Sequence, residues 1–296
     1  MNEARLMPLT DEDQTLHAFR FVTNPSAKVF SYTLPTGTVH HFQIRPPHSS
    51  LDIISESEVT THRHDPIERL ANCMEDNGFY YSGAIWSRYC EYLMPTPRVQ
   101  LNEEIDAIAR TARRAAYLPN STTAFLLSLN TTLHQMVAYR TGVTDVHTSA
   151  LQVLEKKEGV CQDYAHLMIA VCRQSGIPSR YVSGYLYNGQ DSDALKAEQD
   201  GHESNFDIPN LHTGEERFGS RSSSNLLGAD AMHAWVECLL PDGKWHGFDP
   251  TNDLLTNQHY IKVHYGRDYA DAVPLRGMFR GITSAPPYVG VSVTEI

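Results

Sequence analysis

The sequence lacks a hydrophobic stretch long enough to cross a membrane. No apolar run approaches the roughly 20 residues that a transmembrane helix needs. The first seven residues also lack the basic and apolar regions that mark a signal peptide. We therefore expect a soluble protein, and the cytoplasm is the expected compartment.

Positive charge and cysteine are scarce as well. The formal net charge is −11, which argues against a nucleic-acid partner because such proteins carry basic faces. Five cysteines are an odd number, and in an intracellular protein they indicate free thiols rather than a disulfide scaffold. The histidines at 40, 41, 62 and 64 match no metal signature and are interpreted as surface residues, so we expect no metal and no cofactor.

The pattern changes near residue 95. Segments 39–45 and 51–59 alternate like short strands and are bounded by turn residues, whereas helical periodicity begins after residue 101. Pro95-Thr96-Pro97 between them is typical of a linker. With a length of 296 residues, this predicts a smaller β-rich N-terminal domain over 1–95 and a second domain over 96–296.

In the second domain, helices precede strands. We predict a helix with an apolar stripe from Ile105 to Ala116, which residues 101–104 lead into. Two further helices are predicted from 122 to 139 after a Ser121 cap, and from 161 to 174 before Gly176 and Pro178. A strand over 180–187 follows, and two later strands flank Pro241-Asp242-Gly243. This order predicts an α+β fold. The polar segment 188–230 is either a lid over a site or a disordered insertion, and both alternatives stay open.

Cys161 is the candidate nucleophile because it begins the third predicted helix. The thiolate is the attacking form of cysteine, and the N–H groups and dipole of a helix N-terminus favour negative charge there. The same N–H groups can stabilise an oxyanion on an acyl substrate. Asp163, in the first turn, is expected to cap the helix, and His166 is expected to make a structural hydrogen bond.

His233 and Asp249 are the candidate base and orienting residue. Alternation over 233–240 places Ala234, Val236, Cys238 and Leu240 on one apolar face, so His233 should point to the other face, toward a cleft or solvent. Pro241 and Asp242 suit a type I turn, and Gly243 suits the left-handed position of a three-residue hairpin loop. That loop places Asp249 opposite Trp235 and diagonal to His233 on the same face.

These segments resemble the transglutaminase-like superfamily, and in particular its bacterial and archaeal members described as cysteine proteases. The stretches that carry the resemblance are 159–167, 176–185, 233–237 and 248–252. The resemblance implies a papain-like fold, in which a helix bearing Cys161 packs on an antiparallel sheet bearing His233 and Asp249, and a β-rich N-terminal region. It also implies that these three residues form a catalytic triad.

The expected activity is hydrolysis of amide bonds in a peptide or peptide-like substrate, through a thioester on Cys161. Two alternatives stay open: transamidation, with an amine in place of water, and a non-catalytic binding protein that keeps the fold. Gln162 stands where the animal cross-linking enzymes have tryptophan, and no EF-hand loop is present, so hydrolysis is favoured over cross-linking. A metal-dependent hydrolase is the weakest interpretation.

Overall fold

The computed structural model describes residues 1–62, 64–71, 73, 83–118, 120–188, 226–228, 231–278 and 289–296. The strands are β1 (Asn2–Ala4), β2 (Gln14–Asn24), β3 (Val29–Leu34), β4 (Gly37–Phe42), β5 (Asp52–Thr61), β6 (Ala138–Tyr139), β7 (Glu158–Gly159), β8 (Ser179–Leu186), β9 (His233–Leu239), β10 (Trp245–Asp249), β11 (Leu254–Leu255), β12 (Tyr260–Gly266) and β13 (Leu275–Gly277). The helices are α1 (Pro66–Ala71), α2 (Gly83–Tyr89), α3 (Glu103–Ala115), α4 (Thr122–Met136), α5 (Ala150–Lys156) and α6 (Cys161–Gln174), with a 3-10 turn at Cys90–Tyr92.

A five-stranded antiparallel sheet forms the centre of the molecule, in the order β11-β10-β9-β8-β12. Helix α6 packs on β8 and β9, and α3, α4 and α5 surround α6. Every α6 residue from Gln162 to Arg173 is buried. At the contact, the sulfurs of the free cysteines Cys172 and Cys238 lie 3.7 Å apart. The predicted α+β fold, with the helix bearing Cys161 on an antiparallel sheet, is confirmed.

The predicted helices are present, with small differences at their ends. Helix α6 has the predicted bounds, because Gly176 adopts a φ of +77° and ends it as expected. Helix α4 has the predicted Ser121 cap, whose side chain accepts a hydrogen bond from the Ala124 N–H, but it ends at Met136 rather than at residue 139. Residues 138 and 139 instead pair with β7 as a short parallel strand, a long-range contact that periodicity does not reveal.

The N-terminal region is built on a four-stranded sheet, in the order β13-β1-β4-β3, beside the β2–β5 pair. Helices α1 and α2 also lie within residues 1–95, so this region contains helix in addition to the predicted strands. The sheet includes β13, from near the end of the chain, which pairs with β1. The domain boundary at residue 95 stays a prediction.

The interpretation of the N-terminal histidines as surface residues is wrong for His40. Its ring is buried and lies 5.0 Å from the ring centroid of Phe19 and 5.1 Å from that of Phe21. Burial lowers the pKa of His40, which favours the neutral imidazole that fits an aromatic environment. Strand alternation alone does not show that a second layer covers β4.

Buried charges join the N-terminal region to the central sheet. Lys262 on β12 pairs with Asp11 at 2.6 Å, Asp13 at 2.8 Å and Glu237 at 3.3 Å. Arg180 pairs with the other oxygen of the same Glu237 carboxylate, Oε2, at 2.5 Å. Burial lowers the pKa of Lys262, but the three carboxylates outweigh that effect and raise it overall. The cluster is therefore charged and fixes the position of β9 and β12.

Among the described residues, no helix is long and apolar enough to span a bilayer.

Candidate active site

Cys161 is the first residue of α6, and its side chain is partly exposed, whereas residues 162–173 of the helix are buried. Asp163 caps the helix through its Oδ2, which accepts hydrogen bonds from the Val160 N–H at 2.8 Å and the Thr144 hydroxyl at 2.6 Å. A Cβ at Gly159 would come within 2.7 Å of the Asp163 side chain, so glycine is needed where the chain enters the helix. The predicted capping role of Asp163 is confirmed.

His233 is the first residue of β9, which pairs directly with β10 in the sheet. The apolar residues Ala234, Val236 and Cys238 face α6 as predicted, and His233 lies on the opposite face. The expectation that His233 is presented to a cleft or solvent is wrong, because its side chain is fully covered. Every residue of β9 is buried. The face that bears His233 and Trp235 lies in a second hydrophobic cluster, in which Trp235 packs with Tyr260 of β12.

The β9–β10 hairpin has the predicted register. The Gly243 N–H donates to the Leu240 carbonyl at 2.9 Å, Gly243 has a φ of +78°, and Leu240 pairs with Lys244. Phe248 lies opposite Val236, so Asp249 falls next to Trp235 and on the same face as His233. His233 Nε2 donates to Asp249 Oδ2 at 2.8 Å. A two-residue loop would have turned Asp249 to the other face.

The electrostatics favour a charged imidazolium beside a carboxylate. Burial lowers the pKa of His233, but the charge of Asp249 and the hydrogen bonds that the imidazole makes with Asp249 and Cys161 raise it to about 10. Burial raises the pKa of Asp249, but His233 outweighs this and lowers it overall. Nε2 is bound to Asp249, whereas Nδ1 has no hydrogen bond to any other group in the part of the chain that the structure describes.

Asp249 is held by more groups than the sequence indicates. Its Oδ2 also accepts hydrogen bonds from Asn252 Nδ2 at 2.8 Å and the Tyr260 hydroxyl at 2.9 Å. Its Oδ1 accepts from the Thr251 N–H at 3.0 Å and the Asn252 N–H at 3.3 Å. The turn in which the Asp249 side chain accepts from the N–H groups that follow it is a local Asx turn, of a kind that sequence can predict. Tyr260 lies on β12, and no local pattern predicts its contact with Asp249.

A short segment before β9 closes the site over His233. Asn252 Oδ1 accepts a hydrogen bond from the Leu227 N–H at 2.9 Å, and its Nδ2 donates to the Leu227 carbonyl at 3.3 Å. Gly228 has a φ of +90°, and a Cβ there would meet His233 Nδ1 at 2.5 Å. Residue 228 must therefore be glycine for the imidazole to keep its place. Of the predicted polar segment 188–230, residues 189–225, 229 and 230 lie outside the described residues.

His166, Trp235 and Gln162, the other residues considered in the sequence, make contacts around the proposed site. His166 Nε2 accepts a hydrogen bond from the Tyr269 N–H at 3.2 Å, so its structural role is confirmed. Trp235 lies 6.2 Å from His233 between ring centroids and packs edge-on against Tyr260 at 5.3 Å. Gln162 is buried, and its amide donates a hydrogen bond to the carbonyl of the exposed residue Asp145 at 3.4 Å.

Comparisons with known proteins agree with this architecture. Residues 109–250 match the transglutaminase-like superfamily, and residues 1–60 match the bacterial transglutaminase-like N-terminal region. The chain is 32% identical over 296 residues to the uncharacterized protein ML0607 of Mycobacterium leprae, covering all of this chain and 92% of that protein. It is 32% identical over 252 residues to the uncharacterized protein Rv2569c of Mycobacterium tuberculosis, covering 80% and 68% of the two chains.

Among solved structures, a "putative cysteine protease" from Cytophaga hutchinsonii has the same fold. Its TM-score is 0.65 at 19% sequence identity, and the match covers 93% of this chain and 78% of that one. The likeness extends over both the N-terminal region and the sheet that carries His233 and Asp249.

Proposed function

This chain belongs to the transglutaminase-like superfamily, and we propose that it is a cysteine-dependent hydrolase of amide bonds in peptides or peptide-like molecules. One observation carries the proposal: His233 uses Nε2 for Asp249, which leaves Nδ1 for the thiol at the start of α6. An imidazole fixed on one side by a buried carboxylate is the arrangement that a thiol nucleophile requires.

In the acylation step, the Cys161 thiolate attacks the carbonyl carbon of the substrate, and the sulfur–carbon bond forms. The N–H groups at the first turn of α6 stabilise the oxyanion. The carbon–nitrogen bond then breaks, and the amine leaves with the proton that His233 carries on Nδ1. The raised pKa of His233 supports this role, because the imidazole holds that proton at neutral pH.

In the deacylation step, water attacks the thioester and His233 takes its proton. The carbon–sulfur bond breaks, which releases the carboxylic acid and regenerates the thiolate. Asp249 keeps the imidazole in the required tautomer and stabilises its charge in both steps. An amine in place of water would make the enzyme a transamidase, and the geometry of the triad is compatible with both acceptors.

The test is to trap the acyl group on Cys161. The protein is incubated with a peptide and amide library, and the intact mass is measured after rapid acid quenching. We expect a thioester adduct on Cys161, release of free acid, and loss of both in a folded Cys161→Ala variant. Cys90→Ala is the matched control, because Cys90 is an exposed free cysteine outside the site. Incorporation of a labelled primary amine would instead identify a transamidase.

A second measurement does not depend on the substrate. Iodoacetamide should modify Cys161 near neutral pH at least about ten times faster than Cys90, because a helix N-terminus and an imidazolium both favour the thiolate. Equal rates at the two cysteines, together with no adduct from the library, would favour the alternative of a non-catalytic binding protein.

A further inference from the structure

Cys73, Asp242 and His246 form a second cysteine–carboxylate–histidine group, built from residues that the proposed mechanism does not use. The Cys73 sulfur, an Asp242 carboxylate oxygen and a His246 ring nitrogen all lie within 4.8 Å of one another. We propose that these three side chains bind a zinc ion, which fastens the N-terminal region to the β9–β10 hairpin.

The distances suit an ion placed between the three ligand atoms. Cys73 Sγ lies 3.9 Å from His246 Nε2, and His246 Nε2 lies 2.8 Å from Asp242 Oδ2. Around tetrahedral zinc, with bonds of about 2.0 to 2.3 Å, such ligand atoms are about 3.3 to 3.6 Å apart. The sulfur has to approach, and the carboxylate has to withdraw, by only a few tenths of an ångström.

Two of the contacts of the Cys73 sulfur are long. Its hydrogen bond to the Arg69 carbonyl is 3.5 Å long, and its contact with His246 is 3.9 Å long. A zinc ion would replace these with a sulfur–zinc bond of about 2.3 Å as the Cys73 thiol releases its proton to solvent, and it would take the place of the proton between His246 and Asp242. The group therefore gains three strong bonds for little movement.

The chemistry of the three ligands selects zinc over harder cations. Calcium and magnesium are bound by oxygen atoms, whereas thiolate and imidazole together are typical of zinc. One thiolate and one carboxylate also balance the charge of a divalent ion. Cys73 and His246 are buried and Asp242 is exposed, so water can reach the ion from the Asp242 side and complete a tetrahedron.

The ion would join parts of the chain that are far apart in sequence. Cys73 follows α1, and its carbonyl accepts a hydrogen bond from the Thr123 hydroxyl at 2.7 Å, at the start of α4. Asp242 lies in the turn of the hairpin, and His246 lies on β10, the strand that ends at Asp249. Zinc would thus stabilise the position of the strand that carries the proposed orienting residue.

The experiment measures zinc binding in the full-length Cys161→Ala protein, which removes the thiol beside His233 as a competing ligand. After chelator treatment and buffer exchange, zinc is titrated calorimetrically and the bound metal is counted by elemental analysis. We expect one zinc per chain and a higher melting temperature with zinc. Cobalt in place of zinc should give a sulfur-to-metal charge-transfer band.

Two variants in that background identify the ligands. Cys73→Ser should abolish the cobalt band, and Asp242→Asn should weaken zinc binding at least about tenfold. Asp242→Asn keeps an oxygen that accepts from His246, and Asp242 is exposed, so this variant should fold normally by circular dichroism. Cys90→Ser, at an exposed free cysteine, is the control and should bind like the parent.

The proposal is overturned if the parent protein binds no stoichiometric zinc. It is also overturned if a folded Asp242→Asn variant keeps the parent affinity, or if the cobalt band survives Cys73→Ser. Because the measurements are made without the proposed nucleophile, they are independent of whether the protein is a hydrolase.

Discussion

Asn252 Nδ2 donates a hydrogen bond to the same Asp249 oxygen that accepts the His233 Nε2–H, and both distances are 2.8 Å. The same amide group also holds the Leu227 carbonyl at 3.3 Å. Asn252 thus connects the carboxylate of the proposed triad to the segment that lies against the imidazole. Its side chain therefore contacts both Asp249 and the Leu227 backbone, and none of its described contacts is with Cys161.

Removing a donor to Asp249 should slow the chemical step. In Tyr260→Phe the ring stays in its packing with Trp235 and only the hydroxyl bond to Asp249 is lost. We expect kcat to fall about tenfold or more with little change in KM, as for other groups that orient a catalytic side chain. Tyr185→Phe, which removes a hydroxyl bond to the Leu6 carbonyl, is the control. Equal effects in the two variants would contradict a positioning role.

Adding a methyl group beside the imidazole should disable the site. In Gly228→Ala, the new Cβ would lie 2.5 Å from His233 Nδ1, the nitrogen assigned to the thiol. We expect iodoacetamide to modify Cys161 at least about tenfold more slowly, because the imidazole is displaced. Gly142→Ala is the matched control, since Gly142 also has a positive φ, +77°, but nothing lies within 4 Å of its Cβ position. Similar loss in both variants would assign the effect to backbone strain.

The His233–Asp249 pair should make stability depend on pH in a defined window. The pKa of folded His233 is raised from 6.5 to about 10, so its contribution is complete below pH 6.5 and is lost as pH rises toward 10. The pKa of Asp249 is lowered from 3.8, so its contribution is lost as pH falls below that value. The stability difference between wild type and Asp249→Asn should therefore be largest between these two limits.

Urea denaturation at several pH values measures this difference. We expect it to shrink by at least about 1 kcal/mol from about pH 6 to about pH 9, since one pKa unit corresponds to about 1.4 kcal/mol. Asp106→Asn, an exposed helical substitution, should show no such trend. A difference that is constant with pH would mean that His233 is neutral in the folded protein.

Breaking the buried charge cluster should destabilise the protein far more than breaking a surface ion pair. Glu237→Gln leaves Arg180 and Lys262 without their shared carboxylate in a buried setting, so we expect a loss of about 3 to 5 kcal/mol. Glu56→Gln breaks the exposed pair with Arg20 and should cost less than about 1 kcal/mol. Urea denaturation compares the two, and losses of similar size would show that the cluster is not effectively buried.

Much of the site followed from local chemistry in the sequence. The bounds of α6 come from its glycine stop, and the register of the hairpin comes from Pro241-Asp242-Gly243. The register of the hairpin brought Asp249 onto the face of His233, because a strand has a period of two and the turn fixes which residues pair. No local pattern in the sequence predicted the contacts of Tyr260, of Gly228 or of the proposed zinc ligand Cys73, since these residues reach their neighbours from other elements.

The sequence by itself determined the elements that bear Cys161, His233 and Asp249, because helix ends and hairpin turns depend on neighbouring residues. Only the tertiary structure decided that His233 is buried, that β13 completes the N-terminal sheet, and that Cys73 meets His246 from 173 positions away. Burial depends on which layer covers a strand, and that layer is set by long-range packing that no local pattern encodes.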